Sequence, residues 1–412
     1  MNGRARWLLL VVTALLLSSC AVNTRRTLVF WHTLTGARER ALLDLVDQWN
    51  TDSSHAVVIV PQRSTSRAQH AALLDGAKPD IALVSPAQAE SYTQIGMLRP
   101  LDDFAQGKYG FSATDYLDLY PFVFAAGRTS TGELIGLPLG GDVRLMLFDA
   151  DWLAERQLEA PSDRQSLRRL CELSAATGAC FAARLDAVLV QEWLQANGAP
   201  LLDLNQKPLL DSARSVALLS ELVESTRNGV ALAAVSDSQV SNEFASGRVV
   251  FAFEWTSSLR EVDRFVTAGA GHKWGVASIP STDGAPASLL RAPLLVIPRT
   301  RDADETQAWL FVRWMLDTAQ TARWAAATDE FPARLSAITM LDPARMPKNY
   351  TVALQHIGGA ARVEPLLPSW TCVVDGLNQT ALLLLNTQSI TDTLTAGQLQ
   401  MSEHLSAPCA LR

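Results

Sequence analysis

The sequence lacks several features that would place it in a familiar class of protein. Beyond its first twenty residues it has no apolar run near the ~20 residues that a membrane-spanning helix needs. Its densest late run is only the four leucines at 382–385. Lysine is scarce, with five residues in the whole chain, and no basic block occurs. Because the net charge is −7, we do not expect nucleic acid as a partner.

Recognisable catalytic motifs are also missing. The chain has no G-x-S-x-G nucleophile elbow, no H-E-x-x-H zinc motif and no P-loop, and its six histidines are scattered. We therefore expect a protein that is not an enzyme and that needs no cofactor and no metal. The paired carboxylates of a glycosidase leave no such motif, so an exported hydrolase stays a rival interpretation.

The first twenty residues have the layout of a secretory signal. Arg4 and Arg6 precede an apolar stretch at 7–17, and small residues then lead to Cys20. A cysteine after small residues resembles the lipobox of bacterial lipoproteins, which implies cleavage before Cys20 and acylation of its thiol. This predicts a signal peptide over 1–19 and a lipidated tether over 20–26, with the mature protein anchored outside the cytoplasmic membrane. The alternative is a short membrane anchor.

The cysteines that remain are even in number. Outside the reducing cytosol, four cysteines predict two disulfides. Closeness in sequence favours Cys171 with Cys180, and Cys372 with Cys409, among the three possible pairings. A zinc site is the rival interpretation, but the spacing offers no C-x-x-C and no paired histidines.

Length and patterning predict two α/β domains. The mature chain of about 390 residues exceeds the ~250–300 residues at which single cores stop growing. Short apolar strands alternate with amphipathic helices, which indicates βαβ units and a mostly parallel sheet. The strands are predicted over 27–31, 56–60 and 81–84, and the helices over 38–50, 67–74 and 87–95.

Three breaks interrupt this alternation. Glycine and proline cluster at 136–141, turn residues follow at 281–286, and a Phe-Pro pair stands at 331–332. Breaks at about 140, 288 and 324 suggest that the chain passes between two lobes three times. Two consecutive domains would need only one crossing.

Several short segments, taken in order, resemble one family. They are LVFWHTLTG at 28–36, KPDIALVS at 78–85, GELIGLP at 132–138, FASGRVVF at 244–251 and FPAR at 331–334. The sequence resembles the extracellular solute-binding proteins of carbohydrate-type ABC importers, which include the maltose- and glycerol-3-phosphate-binding proteins.

The resemblance implies a fold, a function and partners. The fold would be α/β, with two lobes of mostly parallel sheets flanked by helices and three hinge crossings. The first lobe would comprise 27–140 and 292–323, and the second 141–291 and 324–412. The protein would be a monomer that captures a mono- or oligosaccharide in the cleft and delivers it to the transmembrane subunits of an ABC permease. Glycerol-3-phosphate or another acidic polyol as ligand, and a sensor role, stay open.

Ten residues become candidates for the ligand site through this resemblance. A sugar needs carboxylates, amides or arginine for its hydroxyls, and a flat aromatic side chain for its ring. The candidates follow predicted strands or lie near the crossings: Trp31, His32, Asp142, Arg144, Glu254, Trp255, Arg291, Phe331, Arg334 and Trp370.

Several of these candidates have an alternative interpretation. Trp31 could pack under the first helix, and Asp142 could be a turn residue. Arg144 could contact the ligand or pair with Asp142. Arg291 could clamp a carboxylate or phosphate, or pair with a local carboxylate. Trp255 comes earlier than the tryptophan of the family pattern, so the stacked face of the sugar stays open.

Overall fold

The computed structural model describes residues 25–175, 178–282 and 287–406. The predicted signal peptide over 1–19, the predicted acylation site Cys20 and the predicted disulfide partner Cys409 lie outside the described residues. Within those ranges, no helix has both the length and the apolar character needed to cross a membrane.

The described ranges contain thirteen strands. They are β1 (Arg26–His32), β2 (Val57–Arg63), β3 (Ile81–Val84), β4 (Gly136–Pro138), β5 (Gly140–Asp149), β6 (Ala179–Arg184), β7 (Ala231–Ala234), β8 (Val249–Trp255), β9 (Trp274–Ala277), β10 (Ser288–Arg291), β11 (Leu294–Val296), β12 (Phe331–Pro332) and β13 (Ala361–Val363).

The same ranges contain eighteen α-helices and a 3₁₀ turn at Thr256–Ser258. The helices are α1 (Gly36–Thr51), α2 (Ser66–Leu74), α3 (Pro86–Gln94), α4 (Asp102–Gln106), α5 (Ala113–Asp118), α6 (Pro121–Gly127), α7 (Ala150–Glu155), α8 (Arg164–Ser174), α9 (Ala187–Ala196), α10 (Ala213–Arg227), α11 (Asp237–Ala245), α12 (Leu259–Ala268), α13 (Asp302–Met315), α14 (Thr318–Thr328), α15 (Leu335–Ile338), α16 (Tyr350–Ala360), α17 (Trp370–Asn386) and α18 (Ile390–Ser406).

The first sheet has five strands in the order β2-β1-β3-β11-β4. β1 runs parallel to β2 and β3, whereas β11 runs antiparallel to β3 and β4. Helix α1 covers this sheet with the apolar stripe predicted from its sequence. The buried members of the stripe are Ala41, Leu42, Leu45, Val46 and Trp49.

The second sheet has eight strands. Six follow the order β13-β10-β5-β8-β6-β7, and both β9 and β12 pair with β5. Strand β6 is parallel to β7 and to β8, and β5 is antiparallel to β8. The core beside this sheet includes Phe251 and Trp370, and the core beside the first sheet includes Phe30, Trp309 and Phe311.

Two sheets flanked by helices agree with the predicted architecture, but the strand directions differ from the prediction. Both sheets are mixed, not mostly parallel, because β5, β10 and β11 each pair antiparallel with a neighbour. These strands adjoin the crossings, where the chain moves directly from one sheet to the other. The exact lobe boundaries stay a prediction.

One predicted disulfide is confirmed. Cys171 in α8 is bonded to Cys180 in β6, nine residues further along the chain. The bond fastens the helix to the sheet that it covers. The pairing of Cys372 with Cys409 stays a prediction because Cys409 lies outside the described residues.

Candidate functional site

A cavity of about 180 Å³ lies where the two sheets meet. Ser85 and Pro86 reach it from the end of β3 in the first sheet, and β10 with the crossing at 292–293 forms one wall. The second sheet supplies most of the polar groups. The remaining lining residues are Arg184, Asp186, Val188, Asp237, Trp255, Leu289, Leu290, Arg291 and Glu364.

The polar groups of the second sheet reach the cavity because parallel strands end at the same edge. Arg184 is the last residue of β6, Trp255 is the last residue of β8, and Asp237 begins the helix after β7. Asp186 caps helix α9, and its carboxylate accepts a hydrogen bond from the backbone N–H of Leu189 at 2.8 Å. Ligands of α/β proteins bind at this carboxyl edge of a sheet.

Trp255 forms an aromatic wall of the cavity, and arginines cover part of its ring. The guanidinium of Arg291 lies 4.0 Å from the ring centroid, and that of Arg144 lies 4.8 Å away. Both distances are within the range of cation–π attraction. Trp255 is only 4% exposed, so at least one of its faces is already occupied by protein.

Arg144 is held beneath Trp255 by two carboxylates. Its Nη1 lies 3.2 Å from Oε2 of Glu192, and its Nη2 lies 3.2 Å from Oδ2 of Asp186. Burial lowers the pKa of Arg144, but the two carboxylates outweigh burial and raise it above its ordinary value. Burial also raises the pKa of Glu192 to about 7, against the opposing effect of Arg144. Arg144 is therefore not the partner of Asp142.

Asp142 lies at the crossing between the sheets and is fully buried. It pairs with Arg291, and Nη2 of Arg38 lies 2.8 Å from its Oδ2. It also accepts hydrogen bonds from the hydroxyl of Thr256 at 2.7 Å and from the backbone N–H of Ser257 at 3.0 Å. Burial raises the pKa of Asp142, but the arginines and these hydrogen bonds hold it at about 2.

Arg38 connects this crossing to the first sheet. It lies in the first turn of α1, and its guanidinium pairs with Glu330 as well as with Asp142. Glu330 in turn accepts a hydrogen bond from Nε1 of Trp324 at 2.8 Å. We call Arg38, Asp142, Arg291 and Glu330 the hinge cluster, since these four charges compensate one another where the chain crosses.

Glu254 lies next to Trp255 but does not line the cavity. Its carboxyl group accepts hydrogen bonds from the hydroxyl of Ser241 at 3.0 Å and from the backbone N–H of Trp255 at 2.8 Å. Burial raises the pKa of Glu254 to about 8, and the nearby charge of Asp237 adds to the effect.

Half of the ten candidates meet in this region. Trp255 and Arg291 line the cavity, Asp142 and Arg144 contact Arg291 or Trp255, and Glu254 precedes Trp255 in β8. Arg291 pairs with a local carboxylate, which was one of its two predicted roles. Contact of these residues with a ligand stays a prediction.

Trp31 and His32 lie at the end of β1, outside this cavity. Trp31 is half-buried against the core of the first sheet, and its Nε1 donates a hydrogen bond to Oε1 of Gln62 at 3.0 Å. His32 is buried, and burial lowers its pKa. Within the described part of the chain, Nδ1 of His32 has no hydrogen-bond partner.

The last three candidates also lie away from the cavity. Phe331 is fully buried against Tyr350, with ring centroids 6.1 Å apart. Arg334 is buried with Asp115 at 2.6 Å and Asp118 at 3.1 Å. Trp370 begins α17 within the core of the second sheet. These side chains are held in packed positions, and the structure does not bring them to the cavity.

Sequence reasoning missed several lining residues. Ser85 and Asp186 cap helices directly after strands, and Ser85 forms a capping box with Gln88. That strand-to-cap pattern was a usable signal, because the carboxyl ends of neighbouring parallel strands meet. Glu364 follows the three-residue strand β13, and its sequence context gives no such signal.

The described ranges contain no group of three or more His, Cys, Asp or Glu side chains arranged to hold a metal ion. The polar side chains around the cavity are three carboxylates, two guanidiniums, one indole and the hydroxyl of Ser85. Such a set can bind hydroxyl or ammonium groups through its acceptors.

Comparisons with solved structures agree with this architecture. The chain is similar to the GacH receptor of Streptomyces glaucescens, which has been solved without ligand and in complex with acarbose, with 19% identity, a TM-score of 0.74, and coverage of 93% of this chain and 99% of the other. It is also similar to the maltose-bound MalE3 of T. maritima, with 17% identity, a TM-score of 0.72, and coverage of 92% of this chain and 99% of the other. A third similar structure is UgpB of Mycobacterium tuberculosis in complex with glycerophosphocholine, with 20% identity, a TM-score of 0.70, and coverage of 92% of this chain and 98% of the other. The predicted two-lobe α/β fold is confirmed.

Sequence comparison identifies the family. No curated protein matches the chain in sequence. The family model of the bacterial extracellular solute-binding protein, however, matches residues 44–351, which is well over half of the chain. From this match and the interlobe cavity, we conclude that the chain belongs to the bacterial extracellular solute-binding proteins.

Proposed function

We propose that this protein is the substrate-binding component of an ABC importer and that the interlobe cavity captures a sugar. The observation that carries the proposal is the cavity wall itself, in which Trp255 stands beside the carboxylates of Asp186, Asp237 and Glu364. Carboxylates accept hydrogen bonds from sugar hydroxyls, and an indole packs against the apolar parts of a sugar ring. The relatives bound to acarbose and to maltose support a carbohydrate ligand.

The size of the cavity favours a small sugar. Its volume of about 180 Å³ is below the roughly 300–1,000 Å³ of pockets that take drug-sized ligands. A monosaccharide or a short polyol fits this space better than an oligosaccharide does. Arg291 and Arg144 are already paired with carboxylates, which disfavours the phosphorylated ligand that was the alternative.

Capture would work by closure of the two lobes around the ligand. Ser85 and Pro86 come from the first sheet, whereas Asp237 and Trp255 come from the second, so a ligand in the cavity contacts both. The ligand favours the closed state only through contacts that the open state lacks. The crossings near Asp142 would absorb the motion. No bond of the ligand is made or broken.

Binding can be tested with the mature chain from residue 20, carrying Cys20→Ala. We expect hexoses, pentitols or their derivatives to bind in isothermal titration, and a ligand at 100 times its Kd to raise stability by about 2.7 kcal/mol. Asp237→Asn should weaken binding about tenfold without changing the melting temperature of the free protein. Asp103→Asn, at an exposed carboxylate of the first lobe, is the matched control.

Two outcomes would count against this function. Absence of binding across neutral, amino and phosphorylated sugars would contradict capture of a carbohydrate. Binding of glycerol-3-phosphate alone would favour the acidic-polyol alternative. The delivery step has its own test, since the loaded protein should stimulate ATP hydrolysis by its permease in proteoliposomes. Signalling through a sensor kinase, without this stimulation, would favour the sensor role.

The lipid anchor is proposed from the sequence alone. Cys20 would carry the acyl chains and hold the protein at the outer face of the cytoplasmic membrane, as a monomer on a short tether. Labelled palmitate should be incorporated into the wild-type protein and not into Cys20→Ala. A mature protein that is released without acylation would contradict the anchor and leave the binding function intact.

A further inference from the structure

The charges that face the cavity are unequal in number. Three carboxylates line it, from Asp186, Asp237 and Glu364, against the guanidiniums of Arg184 and Arg291. Arg291 is already paired with Asp142, which belongs to the hinge cluster and does not line the cavity. Arg184 is therefore the one lining guanidinium that can balance the lining carboxylates.

Arg184 cannot balance all three. It is partly exposed and lies 3.8 Å from a carboxylate oxygen of Asp186 and 3.6 Å from one of Asp237. Arg144 also contacts Asp186, but it is shared with Glu192 at the same distance of 3.2 Å. The wall of the cavity consequently has an excess of negative charge.

Of the carboxylates that line the cavity, Glu364 is the one without a counterion in the described part of the chain. It directly follows β13 and is half-buried at the cavity. Among the described residues, none forms a hydrogen bond or an ion pair with its carboxyl group. Burial raises the pKa of Glu364 to about 7. An unpaired carboxylate in a partly dry site is costly, so a ligand that brings a positive charge is favoured there.

We propose that the ligand is a sugar or polyol of monosaccharide size that carries a protonated amine, and that Glu364 receives this amine. The inference rests on the proposed function and narrows its ligand class. Trp255 adds no separate cation site, because the guanidiniums of Arg144 and Arg291 already lie over its ring and leave it 4% exposed, so the amine is assigned to Glu364 alone. A bare metal ion would seek oxygen ligands on all sides instead of an indole wall. A phosphate would have to separate Arg291 from Asp142.

The experiment compares pairs of ligands in which one member has an amine where the other has a hydroxyl group. The pairs are 1-amino-1-deoxysorbitol with sorbitol, and glucosamine with glucose, each titrated into the mature Cys20→Ala protein at pH 7.5. We expect at least one amine to bind about 10- to 100-fold tighter than its hydroxyl counterpart, because a charged partner strengthens the hydrogen bond to Glu364. Methylamine alone and CaCl₂ complete the panel.

The variant Glu364→Gln separates charge from shape. Glutamine keeps the size of the side chain and its acceptor oxygen, so the affinity for the neutral sugar or polyol should change little. The ratio of amine affinity to neutral-ligand affinity should fall about tenfold or more. Glu155→Gln, at an exposed carboxylate remote from the cavity, should leave both unchanged. Melting temperatures of the free variants report whether each one folds.

Each result decides between the two proposals. Neutral sugars that bind as tightly as the amines, or an amine advantage that survives in Glu364→Gln, would overturn this inference and leave sugar capture standing. Tight binding of Ca²⁺ or of glycerol-3-phosphate in preference to the amines would also overturn it. If no sugar or polyol of either kind binds, both proposals fail together.

Discussion

The hinge cluster and the cavity wall use the same kinds of charged side chain but satisfy them differently. In the hinge cluster, two arginines and two carboxylates compensate one another, and Asp142 has a pKa of about 2. At the cavity wall, Glu364 has no partner among the described residues, and burial raises its pKa to about 7. The paired charges of the hinge cluster stabilise the folded protein, whereas the unpaired carboxylate of Glu364 can still form an ion pair with a ligand.

The largest effect should come from breaking the hinge cluster. Asp142→Ala removes the shared carboxylate of Arg38 and Arg291, which are 29% and 37% exposed, and it leaves the hydroxyl of buried Thr256 and the N–H of Ser257 without their acceptor. Because each buried polar group left unsatisfied costs about 1–3 kcal/mol, we expect a loss of about 3–5 kcal/mol. Urea denaturation measures the loss. Asp237→Ala, at the cavity wall, should change the free energy of unfolding by under about 1 kcal/mol. Equal losses in the two variants would contradict the comparison.

The next effect concerns pH. Burial raises the pKa of Glu254 to about 8, so the folded state holds a proton that the unfolded state loses near its ordinary pKa. Its contribution to stability is complete below pH 4.5 and is lost as pH rises through about 8. At about 1.36 kcal/mol per pH unit, this group should lower the stability of the ligand-free protein by about 4 kcal/mol between pH 5 and pH 9. Melting temperatures from pH 5 to 9 test this, and Glu254→Gln should flatten the curve. A stability that rises across this range would contradict it.

A third variant sharpens the comparison by lowering stability away from both the hinge cluster and the cavity wall. Replacing Cys171 and Cys180 by alanine removes the link between α8 and β6. For so short a loop the chain-entropy model gives a loss of about 2.5 kcal/mol. Denaturation should show this loss, while calorimetric affinity for the ligand stays unchanged. A change in affinity would mean that the disulfide also shapes the cavity.

The smallest stability effect is expected at Arg184. Its ion pairs are long and partly exposed, so Arg184→Gln should change the free energy of unfolding by no more than about 0.5 kcal/mol. The same change removes positive charge from the cavity wall. Titration should therefore show an amine-bearing ligand binding a few-fold more tightly. Weaker binding of the amine would argue that Arg184 contacts the ligand directly.

Much of the fold could be predicted from sequence because its stronger elements are strongly patterned. The stripe of α1 and the apolar run of β3 were both placed to within two residues. Strands β6 and β7 escaped notice because they consist largely of alanine, which has a weak strand preference. β6 is placed in the sheet by its parallel pairing with β8, and β7 by its parallel pairing with β6.

Some residues of the candidate site could be predicted, because their neighbours in sequence determine where they lie. Trp255 follows a recognisable apolar strand and Arg291 lies near a predicted crossing, and both line the cavity. Arg334 and Trp370 also follow recognisable turns, yet partners distant in sequence hold them in buried positions. The choice between cavity and core depends on those distant partners, which a local motif does not contain.

The position of β11 has a consequence for how the chain can fold. Residues 294–296 lie between β3 and β4, so the first sheet stays divided until most of the second sheet's chain exists. A fragment that ends before residue 294 would expose the unpaired edges of β3 and β4, and such edges invite aggregation. The first sheet is therefore completed only after strands β5 to β10 of the second sheet have been synthesised.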